Sequence, residues 1–264
     1  MAAAPSPPGD SRTAPPAPAD AGPPGLPVVP WNMVDAIVVF FLSVVLTLVA
    51  GVVMSLVMPP RVPEAVVDAA YGPLTLLVLG LTLLGWIAAR YSGATRKVIG
   101  SRRPGGRDVL VGVGAGIGAV IVVTAGMGLL LGLVLEVLGL DIPTVQQDLR
   151  DAARDPQTAP VLVLSAVLVA PLFEELFFRG MVLPALAKRI GLWGGIVVSA
   201  LLFGVVHLNQ AEDLLGGALL LLRLVPLGIL FGWLYHWRGT IVVPIVVHSI
   251  FNAASVVLLL AGFD

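Results

Sequence analysis

The chain has 264 residues, of which 58% are hydrophobic and only 12% charged. A soluble domain carries roughly 45–50% apolar and about 25% charged residues, so both departures point to lipid as the solvent. A net charge of −1 provides no basic face for nucleic acid, and the absence of cysteine excludes disulfides, thiolate chemistry and Cys-ligated zinc.

Residues 1–30 contain ten prolines among Ala, Gly and Ser. Such a segment cannot bury enough apolar area to offset chain entropy, and a disordered tail is expected. It has no apolar core of its own, so it is a poor signal peptide. From residue 31 onward the chain reads as one transmembrane domain, 31–264. A bilayer crossing takes about 20 apolar residues. Seven runs meet that template: 34–57, 70–89, 109–135, 159–187, 191–207, 213–235 and 240–261. Backbone in hydrocarbon must satisfy its own hydrogen bonds, and the runs are too long for barrel strands, so they are expected to be helices.

The third run repeats glycine at Gly112, Gly114, Gly116, Gly118, Gly126, Gly128 and Gly132. Small residues four apart let helices approach closely, so it reads as a packing helix. The fourth carries Pro171 and Pro184, which predicts a kink or a tilted segment. The sixth carries Gly216-Gly217 and Pro226, and a break there would give eight spans. The fold class expected is all-α, a polytopic bundle of seven to eight transmembrane helices.

Basic residues in short loops set orientation. Arg90, Arg96, Lys97, Arg102, Arg103 and Arg107 follow the second run, Lys188 and Arg189 the fourth, and Arg238 the sixth. The alternate loops hold Glu64 and Asp68, then Asp141, Asp148, Asp151 and Asp155 with Arg150 and Arg154 among them, then Glu212 and Asp213. The alternation predicts a multi-pass cell-membrane protein with its N-terminus in the cytoplasm and its C-terminus outside.

An ionisable side chain at mid-bilayer costs about 2.5–3.5 kcal/mol on insertion scales, so each one needs a partner or a purpose. Three clusters stand out. In Phe173-Glu174-Glu175-Leu176-Phe177-Phe178-Arg179, Glu175 and Arg179 are four apart and can pair on one helix face. Glu174 lies off that face with no partner in its own helix. A carboxylate removed from water is suited to accept a proton from a water molecule. Phe203 and His207 also share a face. His207 reads either as an interfacial residue or as part of a site. His248 and Asn252 share a third face, as an interhelical hydrogen bond or as a pair of donors. His236, beside Trp237 and Arg238, reads as an interfacial anchor. Taken together, Glu174 and His207 can activate water, while His248 and Asn252 can donate to a tetrahedral oxyanion. That set suffices for amide hydrolysis without a serine or cysteine nucleophile.

The order Glu-Glu-x-x-x-Arg (Glu174, Glu175, Arg179), Phe-x-x-x-His (Phe203, His207) and His-x-x-x-Asn (His248, Asn252) resembles the CPBP, or Abi, intramembrane endopeptidases. That family includes the type II CAAX prenyl proteases and bacteriocin-processing or immunity proteins. The resemblance covers about residues 160–255 and implies an all-helical fold of about eight helices around a hydrated cavity. It implies that Glu174 with His207 activates water and that His248 with Asn252 forms the oxyanion hole, with Glu175, Arg179 and Phe203 supporting. The substrate implied is a membrane-associated or prenylated, CAAX-like peptide. No cofactor is favoured. The metalloprotease alternative is zinc held by Glu174, His207 and His248, although the chain lacks the His-Glu-x-x-His spacing of helix-borne zinc proteases. A non-catalytic immunity or scaffold protein of the same fold is the rival reading. A proton-relay transporter would predict inverted repeats between the two halves, and none is visible.

Overall fold

The computed structural model describes residues 25–59, 61–139 and 153–261, and helix dominates throughout. Among the described residues there is no β-strand, only an isolated bridge between Gly100 and Thr240. Most of the Pro/Ala-rich tail, and the loop residues Asp141, Asp148, Arg150 and Asp151, lie outside the described residues.

Six helical stretches are long and apolar enough to cross a membrane: α1 (Met33–Val57), α2 (Glu64–Arg90), α3 (Gly106–Leu138), α4 (Ala159–Gln210), α5 (Leu214–Arg238) and α6 (Val242–Leu260). The expected count of seven or eight is therefore corrected to six. The fourth and fifth runs belong to one stretch, α4, which turns back at Ile190 and Gly191, where Gly191 has φ 75°. A β-carbon at Gly195 would touch the backbone of Ala187, so the arms before and after this turn lie side by side. The arm 192–205 rises only about 21 Å, short of the roughly 30 Å of hydrocarbon, and by itself is not a full crossing. Nor does α5 break at Gly216-Gly217 or Pro226, since it runs as one helix with the proline inside.

The expected distortion at the α4 prolines takes a specific form. Its first arm widens into π-helical turns over Ser165–Val169 and Leu176–Val182. Pro171 and Pro184 lie within the two residues that follow each wide turn. A proline has no N–H to return to the preceding turn, and a π-turn is one way to accommodate the loss. Glu174 and Glu175 sit on the short α-helical piece between the two wide turns.

The basic loops gather at one end of the bundle. Asp35 caps α1 by accepting from the Asn32 N–H, and also accepts from Trp86 Nε1 (3.0 Å) and Tyr91 Oη (2.8 Å), tying α1 to the end of α2. Asp108 caps α3 and receives both Arg102 and Arg238, joining the start of α3 to the end of α5. The tail's last residues, 25–30, placed with the disordered segment by composition, are packed here. Val29 is buried, Lys97 Nζ donates to Val28 O (2.9 Å), and Lys188 Nζ donates to Val29 O (3.0 Å).

Of the α3 glycines, two meet a neighbour closely. β-Carbons at Gly112 and Gly116 would lie 2.7 Å and 3.0 Å from the Val246 and Ile250 side chains of α6. Gly114, Gly118, Gly128 and Gly132 have open space. The difference is one of phase, because residues four apart share a helix face and residues two apart do not. Leucine at Gly116 is expected to push α3 off α6 and lower the detergent melting temperature by several degrees, whereas leucine at Gly114 leaves it unchanged. Equal shifts would show that the α3–α6 contact does not depend on these glycines.

Candidate active site

The three motifs come from the first arm of α4 (Glu174, Glu175, Arg179), the end of its second arm (Phe203, His207) and α6 (His248, Asn252). The fold brings the titratable groups of all three together. Glu174 Oε2 lies 3.8 Å from His207 Nε2 and 3.9 Å from His248 Nε2. Glu175 Oε1 accepts from Arg179 Nη1 at 3.0 Å and lies 3.1 Å from His248 Nδ1. His248 is six residues into α6, about 9 Å along the helix from the end where the basic loops gather.

Accessibility divides the carboxylates. The side chains of Glu175 and Arg179 are sealed, at 0% and 1% exposed, whereas Glu174 and His207 keep 13% and 17%. Glu175 is thus a structural carboxylate and Glu174 the one that meets the cavity. Glu174 Oε2 has no hydrogen-bond partner among the described residues. An unpaired buried carboxylate oxygen costs stability.

Hydrogen bonds also fix the imidazoles. His207 Nδ1 is 2.6 Å from Phe203 O, and a carbonyl only accepts, so Nδ1 carries the proton. Its Nε2 is left to face Glu174. His248 Nδ1 faces Glu175, an acceptor held by Arg179, and so donates as well, again turning Nε2 toward Glu174. The contact between Glu175 and His248 escaped the sequence reading, which paired Glu175 only with Arg179.

Arg179 is held by more than Glu175. Nη2 donates to Gly228 O (3.1 Å), and its guanidinium carbon lies 4.8 Å and 5.1 Å from the Phe203 and Phe231 ring centroids. Phe203 sits at the centre of this shell, 4.7 Å from the His207 ring and 5.8 Å from the His248 ring by centroids. Phe231 stacks on His248 at 5.0 Å. Asn252 Nδ2 donates to Ala166 O (2.9 Å) in the first wide turn of α4, leaving the second amide N–H uncommitted by that bond.

A cavity of about 1500 Å³ reaches Glu174, His207, His248 and Asn252. Its lining runs between α2, α3, α4, α5 and α6 to Ala65, Asp68 and Asp155, at the end away from the basic loops. None of residues 25–31, 94–105 or 238–241 lines it. Arg223 does, and the sequence reading passed over it. The signal was available, since Arg223 is a cation in the middle of a leucine-rich span.

The zinc alternative can be tested on distances. In a tetrahedral site with ligands about 2.0–2.1 Å from the metal, donor atoms stand roughly 3.3 Å apart. The separations from Glu174 Oε2 to the two Nε2 atoms are 3.8 Å and 3.9 Å. Among the described residues no group of three His, Asp or Glu is arranged to hold a metal ion.

Residues 156–254 match the family model for Rce1-like type II CAAX prenyl endopeptidases. Two curated proteins of Bacillus subtilis (strain 168) are similar to the chain. One, named "Putative membrane peptidase YdiL", is 28% identical over 102 residues, which is 39% of this chain and 38% of the relative. The other, "Uncharacterized protein YpbD", is 30% identical over 97 residues, 37% of this chain and 44% of the relative. The chain therefore spans about two fifths of the length of the curated relatives it matches. No solved structure matches. The matched segment contains all seven motif residues, and over it the resemblance drawn from the motifs stands.

Proposed function

We propose that this protein is an intramembrane endopeptidase that hydrolyses peptide bonds of a membrane-associated or lipidated substrate with water activated by Glu174. The observation that carries the reading is the unpartnered Glu174 oxygen, facing two imidazole Nε2 atoms at 3.8–3.9 Å on the wall of a large cavity. Those separations are too long for direct hydrogen bonds and are within reach of one bridging water. A scaffold has no use for this arrangement, because an unpaired buried carboxylate destabilises a fold that gains nothing from it.

In the proposed reaction a water held between Glu174 and His207 gives a proton to Glu174. The resulting hydroxide attacks the scissile carbonyl. His248 and Asn252 donate to the oxyanion, and Glu174 passes the proton to the leaving amine. With Nδ1 given to Glu175, His248 donates from Nε2 only as imidazolium. Glu175 is placed to hold that cation and Arg179 to hold Glu175. Positive-inside orientation would put the basic end and the N-terminus in the cytoplasm. The substrate would then reach the site through the cavity, laterally or from the side of Asp68 and Asp155, and not between the basic loops.

The reading is metal-independent. The test is purified protein in nanodiscs with a panel of quenched fluorogenic, membrane-anchored peptides. Cleavage is expected to persist after prolonged chelation, with less than stoichiometric zinc by elemental analysis. Loss of cleavage on chelation and its return with zinc would replace this mechanism by one using Glu174, His207 and His248 as ligands. An absence of cleavage across the panel, with the biological phenotype kept in Glu174→Gln, would favour the scaffold.

A further inference from the structure

Arg223 lies in the interior of α5, nine residues past its first residue and so about 13 Å along the helix from that end. Its Nη2 donates to Ser255 Oγ at 3.3 Å and its guanidinium carbon lies 5.2 Å from the Phe251 ring centroid. No carboxylate pairs with it among the described residues, in contrast to Arg179, which has Glu175 and a carbonyl. A guanidinium offers five N–H donors in a fork that matches a carboxylate, and one neutral hydroxyl uses few of them. A cation at this depth without an anion is expensive unless a ligand supplies one. Arg223, Ser255 and Asn252 line the same cavity as Glu174 and His248.

Spacing along α6 sets the distance to the chemistry. Ser255 follows His248 by seven residues on the same helix, about 10 Å of rise. An extended peptide covers about 3.3 Å per residue, so about three substrate residues separate the two places. The position is also deeper than lipid headgroups, which disfavours a bilayer phosphate as the occupant.

We infer that Arg223, with Ser255, forms a subsite for a carboxylate carried by the substrate about three residues from the bond cut by the Glu174 site. The carboxylate is either the substrate's chain end or an Asp or Glu side chain. This inference rests on the endopeptidase reading for its register, but its test does not need hydrolysis.

The experiment measures binding of three dansylated apolar pentapeptides to the Glu174→Gln protein in phosphatidylcholine nanodiscs. One peptide has a free C-terminus, one is its amide, and one is an amide with a glutamate near its end. One acidic peptide or both should bind about tenfold more tightly than the neutral amide, the usual scale of a charge-assisted pair. Which of them does so identifies the source of the carboxylate. Arg223→Gln should bring that ratio to about one while leaving the neutral peptide's affinity unchanged, and Arg223→Lys should retain part of the ratio. A host protein with no acid preference, or a preference that survives Arg223→Gln, overturns the subsite. If Arg223→Gln also loses the neutral peptide, Arg223→Lys decides, since an undiminished ratio there refutes recognition by the fork. Unchanged cleavage in Glu174→Gln would refute the endopeptidase mechanism and leave this binding result standing.

Discussion

Glu174→Gln is expected to lower peptide cleavage by about 10²–10⁴-fold while the protein stays folded, the usual scale for removing a general base. Glutamine keeps the shape of the side chain and removes the group that takes the proton. Its effect on stability should be neutral or favourable, because Glu174 Oε2 has no hydrogen bond to lose and a buried unpaired charge is removed. Turnover of the membrane-anchored panel and thermal unfolding in detergent check both halves. Wild-type turnover in a properly folded variant would remove Glu174 from the mechanism. A collapsed melting temperature would instead make it a structural residue.

Arg179→Met is expected to have the opposite profile, with a loss of about 3–5 kcal/mol of stability, the scale for breaking a buried ion pair from one side. The change leaves Glu175 sealed without its cation and frees the Gly228 carbonyl. Pairing it with Glu175→Gln should recover much of the stability, because no lone charge is left behind. Activity should not return, since His248 has lost the carboxylate that holds its Nδ1. Equilibrium unfolding of the two single variants and the double variant forms a mutant cycle that reads the coupling directly. Full recovery of turnover in the double variant would show that Glu175 does not position His248.

The two variants separate roles that adjacent residues in one motif otherwise blur. Glu174 and Glu175 are chain neighbours, about 100° apart around the helix. One reaches the cavity and the other is sealed among Arg179, His248 and three phenylalanines.

Helical spacing explains why much of the site was legible without coordinates. Glu175 with Arg179, Phe203 with His207, and His248 with Asn252 are each four apart, and helical geometry puts each pair on one face whatever the surroundings. The cost of burying polar groups in lipid made the same residues conspicuous. Membrane location and an all-helical class followed from run length and composition for a similar reason, since lipid leaves the backbone few options. Contacts between segments follow no such local rule. Glu175 meets His248 across 73 residues of chain, and nothing in either neighbourhood announces it. Arg223 finds Ser255 in the same way.

The chain's own residues thus determined its solvent, its helices and the pairs within each helix, because those depend on hydrophobicity and a fixed 3.6-residue period. Tertiary structure alone decided that two runs join into one reversed stretch at Gly191, that both imidazoles turn Nε2 toward Glu174, and that Arg223 faces the same cavity. These are matters of how helices pack against one another, which depends on side-chain fit between segments far apart in sequence.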